Sequence, residues 1–363
     1  MGRGLWKEAL GRTWRDKWEE TLAILGGITT FLAGGLPVWM RLMWLGVSGL
    51  LLLRVLSAFR RTVLLLKEKH VPLVILVGRD PDTARAMWGD VQRVMARWGF
   101  DEERYRREFD VEREDVFLHH AAPLPPDRPD EWLGVVRDFR RRIERVSRKL
   151  PGRRVFHVFI NGPISLAVGL GASIGTMYEV VVHQWFPGAG DYPYYPVVDF
   201  YALSRTNPRG VHYLEDPVEG EFRYAQGAGD PGDKRELYIA LWMARDDPRP
   251  AVDELVRQKP PPEAQRIGRW DILRKPPGQT LETGDDWILC AREILTLIHR
   301  PIGAARRDRV HLFLSAPIAL AFALGMGLEH FLRVTIYSWW PQTQQYYPVL
   351  DLERLGRTAS AGG

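Results

Sequence analysis

The stretch NGPISLAVGLG at 161–171 returns as SAPIALAFALG at 315–325. Both copies are Pro-led, apolar and rich in Gly and Ala, and each follows a short apolar run, RRVFHVFI at 153–160 and DRVHLFL at 308–314. The pattern predicts a strand turning into a helix. Val, Ile and Phe favour strands, and Pro is tolerated at the first helical position because that N–H has no intrahelical partner. Pro163 and Pro317 are thus expected at helix starts. The small side chains, Gly171 and Gly325 above all, would let each helix lie close on its sheet.

Working outward, the repeat lengthens. Strands are expected at 71–78, 114–120, 153–160, 178–186 and 194–200, then again at 236–243, 269–275, 308–314, 332–340 and 346–352. Amphipathic helical stretches separate most of them, and 194–200 is expected to hairpin onto its predecessor. Arg79-Asp80 matches Arg245-Asp246, Trp185 matches Trp339, and Tyr195-Pro196 with Asp199 matches Tyr347-Pro348 with Asp351. Strand and helix in alternation predict an α/β fold with a largely parallel sheet, here two tandem Rossmann-like units at 70–203 and 236–355. A Gly-, Pro-, Asp- and Arg-rich linker at 204–235 separates them, and 356–363 reads as a disordered tail.

The N-terminus has a different character. Residues 21–40 carry no charge, and a second uncharged run, 42–53, follows Arg41. A spanning helix needs about 20 predominantly apolar residues. GGLP at 34–37 is a natural turn, so the expectation is a 1–20 cytoplasmic segment, a transmembrane hairpin at 21–58 and a helical stalk at 59–69. A buried hairpin in a soluble domain is the alternative. Basic residues on both flanks, Arg12, Arg15 and Lys17 before and Arg60, Arg61, Lys67 and Lys69 after, place both ends in the cytoplasm by the positive-inside rule.

The totals narrow the function classes. With 363 residues the chain suggests two or three units, and its net charge of +5 permits an anionic partner without demanding one. Cys290 is the sole cysteine, which excludes an intramolecular disulfide framework and a Cys-cluster zinc site. No Walker, GxSxG or HExxH pattern occurs. GLGASIG at 169–175 lies inside a helix rather than in a strand–helix turn. No catalytic residue, metal or cofactor is therefore expected.

In open α/β sheets, ligands bind beyond the carboxyl ends of the strands. The residues expected there are Gly78, Arg79 and Asp80, then Asn161, Gly162 and Pro163, then Trp185 in the first copy. The second supplies Arg245 and Asp246, Arg274 and Lys275, Ser315, Ala316 and Pro317, and Trp339. Cations, small polar turns and aromatic faces together suit a nucleotide: guanidinium for phosphate, backbone for ribose, rings for bases. Local ion pairs, helix caps and core packing are the competing readings of these same residues. His119-His120 lacks metal-ligand spacing.

The doubled pattern, VFINGPISLAVGLGASIG with VVVHQWFPG and YYPVVDF, then LFLSAPIALAFALGMGL with VTIYSWWPQ and YYPVLDL, resembles the SAVED family over about 70–355. That resemblance implies two fused CARF-type units sensing a cyclic oligonucleotide in prokaryotic antiviral defence, in a CBASS or type III CRISPR setting. It implies a cyclic tri- or tetranucleotide ligand containing adenylate, a homo-oligomer, and no DNA or RNA polymer as partner. With the hairpin as the only candidate effector, it implies an inner-membrane protein whose lipid-embedded arms disrupt or depolarise the bilayer. A tethered regulator acting through a partner protein is the second implication. A ring nuclease using His119, His120, Asn161 or Ser315 is the third.

Overall fold

Alternation of apolar strand runs and amphipathic helices produces two mixed sheets, seen in a computed structural model that describes residues 37–66, 68–187, 193–207, 210–276, 279–304, 307–328 and 333–359. The first sheet holds β1 (Lys69–Val77), β2 (Phe117–His120), β3 (Arg154–Asn161), β4 (Glu179–Trp185) and β5 (Tyr194–Asp199), in the order β2-β1-β3-β4-β5. The second holds β6 (Ala225–Ala228), β7 (Glu236–Trp242), β8 (Ile267–Arg274), β9 (Arg309–Ser315), β10 (Val334–Trp340) and β11 (Gln345–Asp351), in the order β11-β10-β9-β7-β8-β6. Without β6, the second order reproduces the first. The fold is that of tandem Rossmann-like units.

The helices are α1 (Val38–Leu66), α2 (Pro81–Ala96), α3 (Glu102–Phe109), α4 (Arg113–Val116), α5 (Pro129–Lys149), α6 (Ile164–Ile174), α7 (Phe200–Thr206), α8 (Arg249–Arg257), α9 (Pro261–Ala264), α10 (Trp287–Ala304), α11 (Ile318–Leu328) and α12 (Leu352–Ala359). The chain divides into two compact units, 1–69 with 150–154 and 70–149 with 155–363. Both repeats fall within the second unit, except for 150–154 of the first repeat.

Parallel pairing holds between β1 and β2, β3 and β4, β7 and β8, β7 and β9, and β9 and β10. The sheets are nonetheless mixed, because β5 and β11 return as antiparallel hairpins and β6 runs antiparallel to β8. The recurrent YYP motif belongs to these hairpins. Pro196 lies opposite His183 and Pro348 opposite Tyr337, each at a register shift, on strands at the sheet edge where the missing N–H is harmless. The matched aspartates are helix caps: Asp199 accepts the N–H of Ala202 at 2.7 Å, and Asp351 that of Glu353 at 3.1 Å.

Three local expectations need correction. The strand expected over 114–120 is extended only from Phe117, because Glu112 and Asp115 cap each other reciprocally and close α4 as a helical turn. Pro163 is the cap of α6 rather than its first helical residue, so the helix starts one position later. The stretch read as a linker also builds the second sheet. The buried carboxylate of Glu293 on α10 accepts N–H bonds from Arg223 (2.6 Å), Tyr224 (2.7 Å) and Ala225 (3.0 Å), which holds the start of β6 in place.

The Gly-rich helices do more than lie on sheets. Residues 165–174 of α6 are all buried, as are most of α11, and the two helices pack directly on each other. A Cβ on Gly171 would sit 2.1 Å from the Phe322 carbonyl oxygen, and one on Gly325 would sit 2.1 Å from that of Val168. Backbone therefore meets backbone at a pseudo-symmetric crossing. The sequence-based expectation that the small residues serve a helix-on-sheet approach is corrected here: the tight contact is between the two copies.

In the first unit, α1 runs unbroken through the expected second membrane arm and the stalk as far as Leu66. The stalk expected over 59–69 is corrected at its end, where Glu68 is not helical and Lys69 begins β1. Val38, Met43, Val47, Leu50, Leu52, Leu53 and Leu56 are exposed along it. Among the described residues no helix is long and apolar enough to cross a membrane. The expected first arm, the segment before it and the last four residues of the tail lie outside the described residues.

A buried imidazole chain crosses the first sheet. His70 Nδ1 lies 2.9 Å from His157 Nε2, and His157 Nδ1 lies 3.0 Å from His183 Nε2. In the second half the corresponding places hold Glu236, His311 and Tyr337: His311 Nδ1 is 3.1 Å from the Tyr337 hydroxyl, and its Nε2 is 3.3 Å from the Glu236 carboxylate. Burial pushes His183 down to about 3, and burial with its imidazole neighbours holds His157 well below the ordinary histidine value.

Two predictions follow from this packing. Gly171→Ala and Gly325→Ala should each cost about 3 kcal/mol or more in urea unfolding, at or above the upper end of overpacking penalties, because backbone cannot yield as a side chain would. Gly89→Ala, with open space around it on α2, should be neutral or stabilising. For acid stability, the unfolded chain takes up protons near the free histidine value of about 6.5, whereas the buried native imidazoles refuse them. Stability is therefore lost as pH falls through that value toward 3. His183→Phe should shrink the drop in unfolding free energy between pH 7 and pH 5; an unchanged drop would count against the buried chain.

Candidate ligand site at the strand tips

Within each sheet the first and third strands are neighbours and their connections leave in opposite directions, so a crevice opens beyond β1/β3 and beyond β7/β9. In the first half, Gly78 adopts a positive φ of 70° and donates its N–H to the His120 carbonyl at 2.8 Å. The left-handed turn is one that glycine adopts freely. Arg79 follows, exposed, with its carbonyl held 2.8 Å from His119 Nε2. His120 is likewise tied to the Ala122 carbonyl at 2.7 Å.

Asp80 is committed to the fold. It accepts the N–H groups of Asp82 and Thr83 at 2.9 Å each and the Thr83 hydroxyl at 2.8 Å, which caps α2 and lowers its carboxyl below the usual range. On β3, Asn161, Gly162 and Pro163 are half-buried, and a Cβ on Gly162 would reach within 3.3 Å of Val77.

The second half keeps the plan and changes the side chains. Met243 donates its N–H to the Ser315 carbonyl at 2.7 Å, joining the tips of β7 and β9; Ser315 and Ala316 are buried and Pro317 is half-buried. Arg245 and Asp246 are exposed. The local aspartate–arginine clamp comes from Asp247, not Asp246. Its carboxylate accepts the Arg249 backbone N–H at 3.0 Å and three guanidinium bonds of 2.7–3.1 Å. That guanidinium lies 4.8 Å over the Trp242 ring, whose buried indole N–H has no hydrogen-bond partner among the described residues.

At the end of β8, Arg274 is turned inward, 6% exposed, and pairs with Asp285 at 3.4 Å, while Lys275 is exposed and donates to the Phe222 carbonyl at 3.3 Å. Trp185 and Trp339 remain 49% and 41% exposed at the ends of β4 and β10.

Two contacts between the halves lie beside these tips. Gln184, at the end of β4, accepts the N–H of Ala319 in the first turn of α11 at 3.2 Å. Phe186, just beyond, makes an edge contact with Trp287 at the start of α10, ring centres 6.4 Å apart. Sequence reasoning missed Gln184, Trp242 and Asp247. Only the position of Gln184, next to the matched tryptophan, hinted at a role.

A cleft of about 1060 Å³ opens elsewhere, lined by Thr176, Leu214, Glu219, Thr296, His299 and Leu328 near the C-terminal ends of α6 and α11. It contains none of the strand-tip residues. Among the described residues, no group of His, Cys, Asp or Glu is placed to hold a metal ion.

With this geometry in hand, the comparisons are informative. The model of the SAVED family, described as the SMODS-associated and fused to various effectors sensor domain, matches residues 127–200 and 201–352. The chain belongs to the SAVED family. Its similarity to solved SAVED structures is in fold. The Acinetobacter baumannii Cap4 SAVED/CARF-domain receptor with the cyclic trinucleotide 3′3′3′-cAAA is 15% identical at a TM-score of 0.49, over 84% of this chain and 56% of that one. The same receptor with 2′3′3′-cAAA is 14% identical at a TM-score of 0.48, over the same shares. The Moraxella osloensis Cap4 receptor is 13% identical at 0.43, over 84% and 54%. The chain thus spans little more than half the length of these SAVED proteins. No curated protein matches the chain.

The exposed guanidinium groups give this rim a testable character. Neither Arg79 nor Arg245 supports a strand or a core contact, so Arg79→Ala with Arg245→Ala should leave the unfolding midpoint within about 0.5 kcal/mol of wild type, as surface substitutions do. A large loss of stability would mean that these side chains serve the fold.

Proposed function

We propose that this SAVED chain is a receptor for a cyclic oligonucleotide, bound where the strand tips of the two halves share one rim. The observation that supports the reading is the bond from the Ala319 N–H to the Gln184 side-chain oxygen, since it brings the end of β4 in one half to the start of α11 in the other. Arg79, Arg245, Trp185 and Trp339 are the exposed strand-tip residues we assign to the ligand. A small cyclic polyanion suits that inventory. Phosphates would meet a guanidinium or a helix start, and the two exposed indoles offer stacking faces for two of the bases. The ligand class we favour is a cyclic tri- or tetranucleotide containing adenylate.

The output we propose is at a membrane. The uncharged run at 21–40 and the exposed apolar side chains of α1 support a lipid-embedded arm, with the sensor on the cytoplasmic side of an inner membrane. Binding would promote assembly of several copies, and the gathered arms would permeabilise the bilayer. The chain itself carries out no chemical step in this reading.

Titration with 3′3′3′-cAAA, followed by calorimetry, is the first test. The double variant Arg79→Ala with Arg245→Ala should bind at least 10-fold more weakly, since a hydrogen bond to a charged group is worth about 1.5–3 kcal/mol. Affinity equal to wild type would move the site elsewhere. Liposomes containing the full chain should leak dye only when the nucleotide is added. Tight binding with intact liposomes would leave the receptor and remove the membrane output.

A further inference from the structure

Positions 154 apart correspond in the two halves (161 with 315, 171 with 325), so Ser165 in α6 stands where Ala319 stands in α11. The two helix starts are not alike. At α11 the N–H of Ala319 is taken by the side-chain oxygen of Gln184, reaching across from the other half. At α6 the place of Gln184 is held by Ser338, whose short side chain is 8% exposed and reaches far less. Ser165 itself is 3% exposed, and its hydroxyl has no hydrogen-bond partner among the described residues.

A buried hydroxyl without a partner is costly to keep. Helical side chains lean toward the helix N-terminus, which aims Ser165 at the start of α6. There the Pro163 carbonyl accepts the N–H groups of Leu166 and Ala167 at 3.1 and 3.3 Å, those of Ile164 and Ser165 are left for a ligand, and the helix carries partial positive charge. The approach runs past Asn161, Gly162, Pro163 and Ile164, all half-buried rather than closed.

We propose that the start of α6 is the phosphate subsite of this receptor, formed by the Ser165 hydroxyl with the first-turn N–H groups, and that Gln184 closes the equivalent place on α11. The inference rests on the receptor reading and deepens it: the two halves present unequal ends to one ligand. A phosphate oxygen accepts from the hydroxyl and the backbone at α6. At α11 a neutral carboxamide already occupies the acceptor's position and ties the halves together, so a second anionic group enters there only by displacing it.

The test uses the full chain with Ser165→Ala and Gln184→Ala. Ser165→Ala should weaken 3′3′3′-cAAA binding at least fivefold while leaving the unfolding midpoint unchanged or raised, because an orphaned hydroxyl has been removed. Loss of stability would mark Ser165 as a packing residue and overturn the subsite, as would unchanged affinity. Gln184→Ala should speed amide exchange at the start of α11 and leave nucleotide affinity equal or higher; unchanged exchange there would overturn the closure. Inorganic phosphate serves as an independent probe. It should protect the first amides of α6 in wild type and not in Ser165→Ala, even if the cyclic nucleotide does not bind, in which case the receptor reading fails and the subsite stands. Absence of that protection overturns the subsite.

Discussion

The structure depends on one contact, the crossing of α6 and α11 where each glycine lies on the backbone of the other helix. A helix apolar on every side must be covered on every side. Each of these two packs on the other and on strands of the opposite half, α6 on β9, β10 and β11 and α11 on β4 and β5, so neither repeat can complete a core alone. Gly169 extends the same logic: a Cβ there would press on Leu350 of β11 and Val136 of α5, one neighbour from each half. The crossing also aligns the strand tips. Each helix begins at the tip of its own third strand, and joining the helices near their middles draws both starts toward one rim.

Duplication supplied the scaffold and divergence supplied the polarity. Three imidazoles bridge the strands of the first sheet where the second has Glu236, His311 and Tyr337 in line. Asp80 caps its helix, whereas the second half has shifted its clamp by one residue to Asp247. The rim inherits the same inequality, with Gln184 satisfying one helix start and Ser165 left open at the other.

Most of the scaffold was legible in the sequence because it is written in local signals. Alternating apolar runs gave the strands, and the Pro, Gly, Trp and Asp landmarks aligned the copies. What was not legible arises from contacts between distant segments. Arg274 reads as a strand-tip cation, yet Asp285, placed by a loop, turns it inward. The run AQGA at 225–228 has no strand signature, and it becomes β6 because the Glu293 carboxylate collects three backbone N–H groups. The tight approach of Gly171 was readable as a need for small residues. Its partner was not, since both a sheet and a helix demand the same composition. Gln184 was invisible for the same reason: its acceptor role exists only once α11 is brought beside β4.

The N-terminal helix poses the remaining physical demand. At about 1.5 Å per residue, the 29 residues of α1 extend to about 44 Å. Among the residues whose side chains are described, Val38, Met43, Val47, Leu50, Leu52, Leu53 and Leu56 are exposed, on the part of α1 that follows the uncharged run at 21–40 in sequence. Contiguous apolar surface of this kind marks an interaction with another apolar surface. Arg54 constrains the geometry further. A guanidinium near hydrocarbon has to reach water or an acceptor, and six residues, about 9 Å of helix, separate it from Arg60. Arg41 and Arg54 bound the uncharged run at 42–53, so charges stand at both ends of that apolar stretch of α1. The proposed lipid-facing role of this segment follows from the demand for apolar cover and the placement of its charges rather than from its length.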